Sequence, residues 1–178
     1  MGVAVTRLIL KDEGTVLGPI ATLDCVGTGI TATRSGINGT VTISGSGFTS
    51  NCRAYAGTNQ SINNNTNVKV QLTTENWDTS NEFDPTTNYR FTATNAGKYV
   101  VCASVNLTTQ NAGTRLSALI YKNGVQVTSS GSHAGGSSDL GSNITDILDL
   151  AASDYIELHV FQNDSVTRTL GGNSTSAF

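Results

Sequence analysis

Charge is scarce in this chain. Only 13% of its 178 residues are charged, against roughly 25% in an ordinary globular domain, and the formal net charge is −3. No basic run occurs, which argues against nucleic acid and anionic membranes as partners. No apolar stretch approaches the ~20 residues of a membrane-spanning helix. The segment Met1–Leu10 is interrupted by Arg7 and is too short for a secretory signal. Proline occurs twice and cysteine three times, at Cys25, Cys52 and Cys102. An odd number without paired spacing does not describe a disulfide framework. Partly buried free thiols suit assembly in a reducing compartment.

Catalytic chemistry has few carriers. The only histidines are His133 and His159. A nucleophilic pair of Cys102 and His159 on neighbouring strands is conceivable, but a reactive thiol needs an open electropositive pocket, and both residues read better as interface groups. Asp146, Asp149 and Asp154 cluster in sequence, yet they straddle a strand and a turn, whereas calcium loops gather several oxygen ligands at close spacing. Gly27-Thr28-Gly29 imitates part of a dinucleotide fingerprint, but no helix follows it. Gly131–Ser138 reads as a mobile loop without the lysine of a phosphate loop, and no Gly-x-Ser-x-Gly turn is present. Neither a cofactor nor a metal is expected, and the chain reads as non-enzymatic.

What the chain does have is Gly, Asn, Ser and Thr, a strand-and-turn vocabulary. Apolar residues alternate or form short runs between turn signals, which predicts an all-β protein. Asn38-Gly39 and Asn123-Gly124 each sit between strand-like runs and predict tight hairpins, because an Asn-Gly pair readily supplies two positive φ angles. The small, polar stretch Gly45–Asn51 marks a boundary. Residues 1–47 are expected to form a small β attachment unit with strands near Ala4–Leu10, Ile20–Val26, Gly29–Ser35 and Thr40–Ser44. It carries too little apolar mass for a core of its own. Residues 48–178 are expected to form a sandwich or jelly roll, with strands near Arg53–Tyr55, Val68–Leu72, Tyr89–Ala93, Lys98–Leu107, Arg115–Tyr121, Val125–Ser129, Asn143–Leu150, Tyr155–Gln162 and Ser176–Phe178.

Two long strands have informative faces. Tyr99, Val101, Ala103, Val105 and Leu107 form one face, with Val100, Cys102, Ser104 and Asn106 on the other. Ile156, Leu158 and Val160 form one face, with Tyr155, Glu157, His159 and Phe161 on the other. A solvent face rarely holds Val100 with Cys102, or Tyr155 with Phe161. These mixed faces therefore predict burial against another subunit, with Tyr55, Val100, Cys102, Tyr155, His159 and Phe161 as interface residues. Trp77, in Glu75-Asn76-Trp77-Asp78, is a candidate ligand contact that could stack on a sugar; a core or subunit contact is the plainer alternative.

Three segments carry a resemblance. They are Phe83-Asp84-Pro85-Thr86-Thr87-Asn88-Tyr89-Arg90-Phe91-Thr92-Ala93 leading to Ala96-Gly97-Lys98-Tyr99-Val100-Val101, then Leu119-Ile120-Tyr121-Lys122-Asn123-Gly124, then Leu148–Leu158. In order and spacing, Asn51–Phe178 resembles the globular head of the C1q and tumour-necrosis-factor superfamily. The resemblance implies a ten-stranded jelly roll assembling as a homotrimer. The chain departs from that pattern where the family carries another apolar strand after a segment like Gly171–Thr175. The last strand should therefore be short, or its place filled by another chain. Ile20–Thr33 with Thr40–Ile43 is similar to short β segments of bacteriophage structural proteins, and no Gly-X-Y repeat is present. Together these resemblances imply a trimeric bacteriophage virion surface protein, either a capsid decoration protein or a head fibre, held by its N-terminal unit. Its partners would be a major capsid or tail protein and, beyond the particle, a host surface glycan or protein. It would assemble in the host cytoplasm. A tail-fibre receptor-binding head and a secreted C1q-like module that binds carbohydrate or protein are the alternatives.

Overall fold

The computed structural model describes four N-terminal strands, at residues 8–12, 15–20, 30–35 and 38–43, and then residues 50–172 and 176–178. The chain divides into two compact units, residues 1–48 and 49–178. In the first, β1 (Leu8–Asp12) pairs antiparallel with β2 (Thr15–Ile20), and β3 (Ile30–Ser35) with β4 (Asn38–Ile43), each as a two-stranded sheet. This corrects one expected turn. Asn38 and Gly39 are not the corner of the second hairpin but lie within β4, opposite Ser35 and Arg34. Of the expected strand Ile20–Val26, Ile20 closes β2, and residues 21–26 lie outside the described residues.

The second unit is a sandwich of two antiparallel sheets. Among its described residues the strands are β5 (Cys52–Tyr55), β6 (Gln60–Ile62), β7 (Val68–Lys69), β8 (Thr74–Asp78), β9 (Phe83–Asp84), β10 (Arg90–Thr92), β11 (Gly97–Gln110), β12 (Arg115–Lys122), β13 (Val125–His133), β14 (Ser138–Leu150), β15 (Tyr155–Gln162) and β16 (Arg168–Leu170). The first sheet runs β14-β11-β16-β6 and also takes in the pair β5-β8. The second runs β13-β12-β15-β10-β9, with β7 also paired to β15.

The alternation read from the sequence decides which side chains meet. On β11, Tyr99, Val101, Ala103, Val105 and Leu107 point inward and are buried, while Lys98, Val100 and Cys102 are exposed. On β15, Ile156, Leu158 and Val160 point inward. They pack with Leu116, Ala118 and Ile120 of β12, Ile144 and Leu150 of β14, and Phe91, whose ring lies 5.5 Å from that of Tyr99. Each buried large aliphatic side chain contributes about 1.5–3 kcal/mol.

The Asn123-Gly124 turn joins β12 to β13 as expected, with φ of 51° and 78°. The expected loop Gly131–Ser138 is shorter. Gly131–His133 continue β13 and Ser138 opens β14, because the Ser-rich run alternates cleanly enough to extend the hairpin from Arg115–His133 to Lys122–Val125. Strands β6, β8, β9 and β16 were not expected. They are short, or polar like Thr74–Asp78, and carry little hydrophobic period.

The place of the final strand is filled from within the chain. Ser176–Phe178 lies between β5 and β11. Ala54 and Phe178 exchange backbone hydrogen bonds of 3.0 and 2.9 Å, and Ser104 and Ala177 exchange bonds of 2.9 and 3.0 Å. Phe178 turns inward, with its ring 6.3 Å from Phe83.

Candidate interaction surfaces

A two-layer sandwich has two broad outer faces, and the expected interface residues divide between them. The outer face of the first sheet holds Val100, Cys102 and Tyr55, and adds Trp77 and Ile147. Cross-strand register sets this grouping. Val100 lies opposite Ile147 and Cys102 opposite Thr145, while Arg53 lies opposite Trp77. Ordinary alternation along β5 turns Arg53 and Tyr55 to the same outer face while Ala54 is fully buried. Val100 is 70%, Ile147 63% and Trp77 51% exposed, so that, among the described residues, three of the six exposed large hydrophobic residues belong to one sheet face. Arg53 sits 5.9 Å from the Tyr55 ring centre and donates to Asn76. At the other end Lys98 and Asp149, both exposed, are 3.8 Å apart.

Tyr155, His159 and Phe161 stand on the outer face of the second sheet, with the core between them and Val100. Neighbours of their own chain cover them in part, and this is the physical reason a mixed face need not imply a subunit contact. His159 stacks on Tyr121 with ring centres 4.0 Å apart, and its Nε2 lies 3.3 Å from Glu157. Glu157 accepts from Lys69 Nζ at 2.6 Å. Burial raises the Glu157 carboxyl, but the bonds from Lys69 and His159 outweigh it and hold that group below its ordinary value. Burial, with a smaller push from Lys69, holds His159 below its ordinary value against the pull of Glu157. Leu119 of β12 is only 4% exposed although it faces outward.

The opposite faces also separate the conceivable nucleophilic pair. Cys102 is on β11 of one sheet and His159 on β15 of the other. The Cys52 thiol, pressed toward the core, is pushed up to about 12 by burial and then by Asp78, Glu75 and Glu82, which makes it a poor nucleophile. Asp154 is occupied by Lys122 at 2.8 Å, by Asn123 at 2.7 Å and by the Ala151 amide at 2.8 Å. It is held down to about 2 by these three groups, Lys122 most strongly. Asp146 and Asp149 lie on β14, on alternate faces from Ile147 and Leu148 respectively. Among the described residues no group of three or more His, Cys, Asp or Glu side chains is placed to hold a metal ion. An open groove is lined by Asn81, Glu82, Asp84, Asn88 and Arg90. Its two carboxylates are engaged internally, Glu82 by Ser50 and Thr94, and Asp84 by Thr86, Thr87 and Asn88.

These sheets, their order and their outer faces define an all-β jelly-roll sandwich of the C1q/tumour-necrosis-factor type. The Eiger TNF of S. frugiperda superposes with a TM-score of 0.53 over 71% of this chain and 87% of that one, at 10% identity. The globular domain of zebrafish complement 1qA superposes with a TM-score of 0.50 over 72% and 96%, at 15% identity. At such identities the likeness is one of fold. No protein family matches the sequence, and no curated protein matches it.

Proposed function

We propose that residues 49–178 are a non-enzymatic recognition module that self-associates, as a homotrimer, through the outer face of the first sheet. The exposure of Val100, Ile147 and Trp77 together on that face carries the reading. Burying Val100 and Ile147 fully would contribute about 1.5–3 kcal/mol each per subunit. The ion pair Lys98–Asp149 and the Arg53–Tyr55 contact would frame this apolar strip as a polar rim. Tyr55, Val100 and Cys102 keep their expected interface role in this reading, and Trp77 joins them as a subunit contact. Tyr155, His159 and Phe161 are released from that role and stay available to another partner. Sedimentation of the purified chain tests the reading: a trimer that Val100→Asp dissociates supports it, and a wild-type monomer at high concentration overturns it.

A secreted C1q-like binding module is our preferred reading over a virion role, supported by a likeness in fold to heads of that kind. A virion reading has one observation in its favour. The first unit consists, among its described residues, of two separate two-stranded sheets, and an isolated hairpin is marginal in water. Such a unit gains stability by seating on a larger body, as an attachment unit on a capsid or tail protein would. Loading of the purified chain onto particles lacking it would favour capsid decoration or a head fibre. Binding to host cells instead would favour a receptor-binding head.

A further inference from the structure

Self-association through the first sheet leaves the outer face of the second sheet uncovered, and that face is built differently. Tyr155, His159 and Phe161 stand in line along β15, spanning roughly 20 Å of extended strand. At one end the Arg90 guanidinium lies 4.1 Å from the Tyr155 ring centre. At the other, Arg115 lies 6.0 Å from the Phe161 ring centre. The stacked His159 and Tyr121 rings fill the middle.

The charge on this face runs against that of the unit. Residues 49–178 hold seven Lys and Arg against ten Asp and Glu, yet here Lys69, Arg90 and Arg115 face Glu157 and Asp84, the Glu82 of the groove beside Arg90 being buried and bonded to Ser50 and Thr94. Both carboxylates are engaged. Glu157 is bonded to Lys69, and Asp84, though in register with Arg90, accepts from the amides of Thr86, Thr87 and Asn88. Among the described residues neither guanidinium has a carboxylate within ion-pair distance. Arg115 is also held in place. Its Nε donates to Ser117 Oγ at 2.8 Å, and Ser117 is fully buried. Gly131 on the neighbouring strand leaves the room, since a Cβ there would stand 3.2 Å from that Nε. A guanidinium fixed by one donor presents its others in a set geometry, which lowers the entropy lost on binding.

We propose that this face binds an acidic polysaccharide, laid across the part-exposed edges of the aromatic row, with carboxylates received by Arg90 and Arg115. The spacing suits an extended polymer rather than a single anion. A membrane surface would call for a denser cluster of four to eight cations, and an acidic peptide would gain little from the row of rings. The proposal deepens the recognition-module reading and rests on it, but it is independent of the trimer.

The test is titration calorimetry of the full chain with an oligogalacturonate long enough to reach from Arg90 to Arg115. Neutral galactan, polyglutamate and phosphatidylserine vesicles serve as comparisons. The expected result is binding of the uronate alone, weakened about tenfold or more by Arg90→Gln and by Arg115→Gln, with circular dichroism unchanged. Binding of polyglutamate or vesicles as tight as that of the uronate overturns the choice of ligand, and no binding to any probe overturns the site. Sedimentation of the same samples separates the two readings. A trimer that ignores uronate sinks only this proposal, whereas a monomer that binds it sinks only the self-association.

Discussion

Val100 on β11 stands directly across from Ile147 on β14, and both side chains project from the sheet with more than three-fifths of their surface exposed. A cross-strand apolar pair on an outer face gains little where it is and much if a second surface covers it. Val100→Asp and Ile147→Asp are therefore expected to abolish self-association. Each should leave the thermal midpoint of the monomer nearly unchanged, within about 0.5 kcal/mol as for other exposed sites. Analytical ultracentrifugation beside a melting curve checks both halves. A variant that melts early without changing its sedimentation would place the pair in folding, not assembly.

Leu158 provides the contrast. It is 1% exposed on β15, in the middle of the sandwich core. Leu158→Ala should lower stability by about 2–5 kcal/mol, through lost burial and the cavity left behind. Denaturant unfolding would show a reduced midpoint at an unchanged slope.

Near neutral pH the titrating group is His159. Its ring is held below its ordinary value by burial, so near pH ~6.5 the unfolded chain takes up a proton that the native ring refuses. Stability is thus fully present above ~6.5, falls as the pH drops below it, and stops falling below the lowered native value. His159→Phe should flatten this part of the profile while keeping the stack on Tyr121. Unfolding midpoints taken from pH 7.5 downward, in ~0.5-unit steps across the histidine range, give the readout. A slope that persists in the variant would assign it elsewhere.

Asp154 governs a lower window. Lys122, Asn123 and the Ala151 amide hold it down to about 2, so the unfolded carboxyl protonates first as the solution is acidified. Its contribution is intact above ~3.9 and is lost as the pH falls toward the native value. Asp154→Asn should remove that acid-dependent loss and lower stability at neutral pH. An acid titration followed by far-ultraviolet circular dichroism, with wild type and variant side by side, distinguishes the two profiles.

Gly124 holds a φ of +78° in the β12–β13 turn. A side chain in the left-handed region costs about 1–2 kcal/mol. Gly124→Val should therefore destabilise the head by roughly that amount, measured by chemical denaturation.

The long strands of the head were legible because period-two alternation survives wherever one face is buried. Tyr99 to Leu107 and Ile156 to Val160 announce their inward faces without ambiguity. The short strands were hidden for the same reason. Gln60–Ile62 and Thr74–Asp78 are too brief or too polar to show a period, and only pairing with distant partners makes them strands. At the surfaces, composition showed that Val100, Cys102, Tyr155 and Phe161 face away from the core. It could not show that they face away in opposite directions, since that depends on which sheet each strand joins. Ile147 could have been found from its place among outward residues of an alternating strand. The pairings of Arg90 with Tyr155 and Arg115 with Phe161 could not, because each joins segments far apart in the sequence. Asn38-Gly39 misled because turn chemistry is permissive, and the register placed the pair inside a strand.

The seating of Ser176–Phe178 between β5 and β11 has a consequence for how the head reaches its native state. Strand β5 is made near the beginning of this unit and β11 before its midpoint, yet the backbone groups that join them side by side come from Ser176–Phe178. Early in synthesis, β5 and β8 can form only a lone two-stranded ribbon with one edge open. The sheet is continuous only after the most distant segment has threaded into the gap, a closure that brings together groups of the largest sequence separation in the head. Such pairings carry the slowest step in β-sandwich folding. During that interval the empty slot is a ready acceptor for the same three residues of a neighbouring copy, so crowding at synthesis would favour exchanged strands over correctly closed monomers.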